Sequence, residues 1–448
     1  MFLKNLLYQM EISKKILSFF LILLPISLIS GPAIPDITIT LSSIFFLIYL
    51  IYKNNIKYLY EHSWLKVALV FWTYLLISSF FAYNVTEALS NSFIFIRYIM
   101  IPLILLYFIF ENNFLKKYII ITIFSSIIFV IFDTFYQFLR YDSFNGFKSD
   151  IFGYVPDFAK FNRLTGPFKD LVPGAYISKF SFIGLVFFTF YFKNILVRNT
   201  LIMIYLAICG YITFISGERM AFATFGLGMI IFMIFTKKNK IFIALSIFLM
   251  VLLIFLSIKF HPSYNDYEII ESSSIEYGLV VEKEYNCNSY NSKKCSHLVK
   301  LQPTFIEVIK DFNNSAYGEI YSLAINMYKS HFIFGIGLNN YTELCKTDKF
   351  INNLQNVGCV THPHNFYLQW LVETGPLGLI LFIIFVIFLF KHVQNNKDYS
   401  GRLISFITLI IIFWPIMSTG SFVKNWMGVS SFFAIGLAIC MDRLRLDK

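Results

Sequence analysis

Apolar runs of roughly 17 to 25 residues, the length a helix needs to cross a bilayer, recur along most of the chain with short polar breaks between them. They fall near 16–34, 36–52, 65–83, 93–110, 115–136, 174–192, 199–216, 219–236, 241–259, 366–390, 403–419 and 426–441. The pattern predicts an all-α polytopic membrane protein of about 12 transmembrane helices. Two polar stretches are too long to be simple connections: 137–173, and about a hundred residues over 260–365. The chain therefore divides into spans one to nine (1–259), a large loop (260–365) and spans ten to twelve (366–448). Within the loop, the spacing of "TFIEVIKDFNNSAYGEIYSLAINMYKS" predicts one or two short amphipathic helices lying against the membrane.

Composition agrees: 57% of residues are hydrophobic and only 14% charged, which a soluble core of this size does not need. A formal charge of +11 raises the question of a nucleic-acid partner, and the placement of the basic residues answers it. With the N-terminus in the cytoplasm, Lys14, Lys15, Lys116, Lys117, Lys237 and Lys238 all lie inside, as do most of the other cations. The short outer loops keep almost only Arg219 and Lys424, so the positive charge is a topology signal and no nucleic acid is expected. No small-x-small cleavage site follows the first apolar run, which is read as helix one, and both termini are expected in the cytoplasm.

Cys287, Cys295, Cys345 and Cys359 all fall in the large loop, on the outer side of this topology. In an oxidising compartment, the sequence-local disulfides would join Cys287 to Cys295 and Cys345 to Cys359, one of three connectivities. A zinc site using His297 and His331 is the rival reading, although the spacings are not those of a zinc ribbon or finger.

Five ionisable residues interrupt the apolar runs: Arg97, Asp133, Lys179, Arg219 and Glu373. All fall toward the outer ends of their spans. Singly, each could snorkel to the interface. Together they predict a polar cavity opening outward. Arg163 in the first outer loop, with His362 and His364 at the start of span ten, makes that cavity cationic and suited to a phospho- or diphospholipid headgroup. In "THPHNFYLQWLVETGPLGLILF" (361–382), Asn365 is positioned to cap the helix. An imidazole at a helix N-terminus has its cation disfavoured and is thus available to accept a proton. The ordinary alternative is a histidine that merely packs at a helix start. Gly375, Pro376 and Gly378 predict a bend just below.

This segment resembles the hallmark of the O-antigen ligase and O-antigen polymerase superfamily, bacterial membrane glycosyltransferases acting on undecaprenyl-diphosphate-linked glycans. "FNRLTGPF", "SGERMAF" and "KSHFIFGIGLNNY" resemble three further elements of the family, in its order. The resemblance implies a transfer on the periplasmic face of the bacterial inner membrane, without metal or cofactor. It implies His364 as general base, and Arg163 and Arg219 as ligands of the diphosphate. Arg97, Lys179, His362, Asn365 and Glu373 are expected around the substrate. Four positions depart from the family pattern. Phe332 stands where proline is usual, Tyr317 and Tyr321 stand where many members carry an arginine and a tryptophan, and Glu218 is unusual beside Arg219.

The resemblance leaves the acceptor open. A ligase would deliver the glycan to lipid A-core, a polymerase to the next lipid-linked repeat, and a protein O-glycosylating member to a polypeptide. A transporter or lipid flippase would also want a polar cavity, but the chain has no evident internal repeat of the kind many such proteins show.

Overall fold

The computed structural model describes residues 2–143, 145–156, 163–170, 172–237, 239–264, 267–272, 280–285, 295–300, 312, 316–351, 358–416 and 420–444. A helix occupies each of the twelve apolar windows. In chain order the principal helices are α1 (Phe2–Ile22), α2 (Ala33–Tyr52), α3 (Ser63–Ser79), α4 (Val85–Ile104), α5 (Asn113–Leu139), α6 (Pro173–Tyr191) and α7 (Ile195–Ile215). They continue with α8 (Arg219–Phe235), α9 (Lys240–Phe260), α10 (Ala316–Ser330), α11 (Phe366–Gln394), α12 (Tyr399–Phe413) and α13 (Asn425–Cys440).

Among the described residues, eight helices are long and apolar enough to cross a membrane, against the twelve spans expected. Of the other four, α1 is long enough but carries Glu11, Lys14 and Lys15, and three are short. α3 and α8 have 17 residues and α12 has 15. At about 1.5 Å per residue they reach roughly 23–26 Å, short of a hydrocarbon core of about 30 Å. α12 stops early because Pro415 forces the residue before it out of the helical region, and Trp414 is extended at ψ 123°.

α13 packs against α4, α6 and α12 and is buried along most of its length, forming the centre of the bundle. α9, which packs on α7, buries only Ile243, Ser246 and Met250. Its exposed Phe248, Phe255 and Phe260 are stable only against hydrocarbon, as on a lipid-facing span.

α11 is broken near its start. Gly375 adopts φ 71° and ψ −177°, and Pro376 has no N–H to return to the Val372 carbonyl one turn back. The carbonyls released by this break are taken up elsewhere. Ile336 N–H donates to Val372 O at 2.9 Å, Gly337 N–H to Glu373 O at 2.9 Å, and the Tyr74 hydroxyl to Thr374 O at 2.8 Å. A carbonyl left unmet there would cost about 1–3 kcal/mol. Gly335 makes the approach possible: a Cβ on it would lie 2.5 Å from the carbonyl carbon of Glu373 and from the nitrogen of Thr374.

A small second core stands over this break, built from Leu323, Met327, Ile336, Tyr341, Leu344 and Val372. The expected disulfide between Cys345 and Cys359 is present within it. The other expected pairing, Cys287 with Cys295, and the alternative involving His297 concern side chains outside the described residues. Two features of the loops were not anticipated. Tyr141–Asp142 (β1) pairs with Gly146–Phe147 (β2), and Tyr267–Ser272 (β3), Val280–Tyr285 (β4) and Cys295–Lys300 (β5) form an antiparallel sheet in the order β3-β5-β4. The strands are six residues or fewer and rich in polar residues, too short to show a clear period of two beside such strong apolar runs.

Candidate functional site

α11 begins at Phe366 because Asn365 caps it, its Oδ1 accepting the Leu368 N–H at 3.0 Å. The other end of that amide donates to the Pro415 carbonyl at 2.8 Å. The side chain expected near substrate is thus occupied in fixing the start of the helix. Immediately before it, His364 has φ +53°, a left-handed conformation uncommon for any residue with a side chain. Such conformations persist where surrounding contacts hold them, and they concentrate at functional sites. Tyr317 of α10 meets the His364 ring edge-on at 6.0 Å, and the His362 ring lies 4.3 Å away. His362 is itself buried, its Nδ1 2.8 Å from Thr361 Oγ1.

Arg163 comes from the loop before α6, where Leu164 N–H donates to the Ser216 carbonyl at 3.2 Å. That bond ties the Arg163 segment to the turn from which Arg219 opens α8. Arg163 and Tyr317 both act electrostatically on Arg219, and Arg163 acts also on His364. Burial, assisted by the Arg163 cation, holds the His364 imidazole below the ordinary histidine range, so its neutral, proton-accepting form persists at mildly acid pH. The Nε of Arg163 is enclosed and has no acceptor among the described residues. Two guanidinium groups brought near one another, one on the loop before α6 and the other opening α8, suit an anion.

Glu218, in the same turn, accepts the N–H groups of Gly174 at 2.6 Å and Ala175 at 3.1 Å. It caps α6 from outside that helix, and Arg163 and Lys179 lie within electrostatic reach of it. Its position beside Arg219 is thereby explained by the need to close the α6 N-terminus.

The structure distributes the other expected residues rather than gathering them into one cavity. Arg97 pairs with Asp36 at 2.8 Å and bonds Thr40, Tyr98 and Asn425, lining a separate cavity of about 220 Å³. Lys179 is buried and turned toward α13, with Nζ 3.2 Å from Ser430 Oγ and 2.8 Å from Met427 Sδ. Asp133 accepts the Ile151 N–H at 2.9 Å. Glu373 is fully buried at the break in α11, where Gln369 Nε2 reaches both its oxygens at 3.2 Å. Gln369 also donates to Ser421 Oγ at 2.7 Å. Glu373 therefore braces the break, a role its apolar surroundings in the sequence did not distinguish from substrate binding. In the sequence Tyr317 only stands where another residue is usual, and its contact with His364 depends on how α10 docks.

Residues 201–383 match the family model described as O-antigen ligase, a segment that includes Arg219, the Gly335–Gly337 turn and His364. No curated protein matches the chain. Over residues 201–383 the chain is similar to the O-antigen ligase family, and this domain in a multi-pass helical chain supports a membrane glycosyltransferase of the O-antigen ligase or polymerase type.

Proposed function

We propose that this protein transfers a glycan from undecaprenyl diphosphate to lipid A-core on the periplasmic face of the bacterial inner membrane. The reaction proceeds without a metal ion or cofactor, with His364 as general base. The observation that carries the reading is the convergence of His364, Arg163 and Arg219 from three distant parts of the chain.

In this reaction the acceptor hydroxyl oxygen attacks the anomeric carbon of the donor sugar. Its proton passes to the imidazole of His364 as the bond from that carbon to the diphosphate oxygen breaks. The bonding pair leaves with the diphosphate, whose growing charge is met by Arg163 and Arg219. Fixed donors of this kind contribute about 3 kcal/mol each in comparable oxyanion sites. One base and one electrostatic clamp support a single displacement with inversion at the anomeric carbon.

Purified protein in lipid, given an undecaprenyl-diphosphate oligosaccharide, tests the reading in two reactions: one containing lipid A-core and one containing only further lipid-linked repeats. Glycan joined to lipid A-core alone is the expected product. A ladder of longer lipid-linked chains would instead make the protein a polymerase, with the donor chemistry retained and the acceptor replaced.

A further inference from the structure

The loop that carries Arg163 is bonded by a residue that stands in no recognised motif, Gln137 in the last turn of α5. Its side chain is fully buried. Oε1 accepts the backbone N–H groups of Thr165 and Gly166, each at 3.0 Å. Nε2 donates to Thr165 Oγ1 at 3.0 Å and to the Tyr154 carbonyl at 3.2 Å. A primary amide has two N–H donors and an oxygen with two lone pairs, and here all four are matched.

Three of these bonds fall on the two residues that begin two positions after Arg163. One turn back on the same face of α5, Thr134 lies beneath Gly166, where a Cβ would come within 2.5 Å of Thr134 Oγ1. Gly166 itself has φ +51°, so the chain turns there in a conformation that suits glycine. The segment 163–166 is thus pinned to α5 on one side and, through Leu164, to the Ser216 carbonyl on the other. An apolar side chain would fill the space under this loop without the cost of burying an amide, but it would not fix the loop's register.

We propose that Gln137 is a positioning residue that sets where the Arg163 guanidinium stands relative to His364. Its consequence for glycan transfer rests on the function proposed above, whereas the placement of Arg163 does not.

The test is the titration of His364, followed by NMR in lipid-reconstituted protein with labelled histidine and assigned by loss of the signal in His364→Ala. Among the described residues, Arg163, His362 and Tyr317 face His364, and the last two are unchanged in every variant compared. Arg163→Gln removes the neighbouring cation and moves the His364 midpoint upward. Gln137→Met, close in volume but without the amide's donors and oxygen acceptor, is expected to move it in the same direction. The double variant is expected to move it no further than Arg163→Gln alone.

A Gln137→Met midpoint equal to wild type, or a shift that persists undiminished in the Arg163→Gln background, would overturn the proposal. If Gln137→Met does not fold, Thr165→Val, which removes one of the four bonds, carries the same test with a smaller upward shift expected and none overturning it. Because titration needs no turnover, a protein that shows these shifts but transfers no glycan would retain the positioning role and lose the function. A protein that transfers glycan without the shifts would do the reverse.

Discussion

His364 takes a left-handed conformation directly before the cap of α11, with Arg163 supplying a cation beside it. Both the burial and the cation favour neutral imidazole, and a general base works in its neutral form. The acid limb of kcat/KM for transfer is therefore expected below the ordinary histidine value. Arg163→Gln removes one of the two causes, so it should move that limb upward while slowing transfer by about 100-fold. An acid limb that stays in place in Arg163→Gln would show that the arginine does not act on the base. His364, Arg163 and Arg219 stood out in the sequence as candidates because each lies in a segment that resembles a family element. Arg97, Lys179 and Glu373 were legible only as polar groups at one depth. Depth along a helix can be read from residue spacing, but the neighbour that a side chain faces depends on how helices pack. Asp36, Ser430 and Gln369 could not be assigned as their partners beforehand.

The break in α11 shows the same division at the level of elements. Gly375 and Pro376 announced the bend, but nothing local announced that Gly335, Ile336 and Gly337 would supply and admit the backbone donors that close it. Alanine at Gly335 or Gly375 would have to hold φ at 75° or 71°, at a cost on the order of 1–2 kcal/mol. Its Cβ would also meet the backbone of the opposing segment in either case. Each variant is expected to lower the thermal midpoint and to reduce transfer, because the turn and the start of α11 are braced against one another. A melting curve and a transfer rate equal to wild type in Gly335→Ala would contradict this packing. The short strands β3 to β5 were missed for a related reason: pairing over a distance fixes them, and their local pattern is weak.

Across the whole molecule, the order of apolar runs was enough to give a multi-pass helical protein, while the lengths of α3, α8 and α12 were not readable from hydropathy alone. The small core over the α11 break joins α10 and the segment leading to His364 to the bundle, and the disulfide of Cys345 and Cys359 closes it. Replacing both cysteines with serine releases a loop of sequence separation 14, a loss of about 3 kcal/mol by loop-closure reasoning. Transfer should then fail at temperatures where far-UV circular dichroism still reports an intact bundle. Unchanged thermal inactivation in the serine pair would show that this core holds without its cross-link. In the proposed reaction His364 takes the acceptor proton. The most direct measurement is glycan transfer from an undecaprenyl-diphosphate oligosaccharide to lipid A-core by purified wild-type and His364→Ala protein in lipid, with donor binding measured on both. Transfer is expected to fall by about 100- to 10,000-fold in the variant with donor binding retained, and turnover near the wild-type rate in His364→Ala would contradict the account.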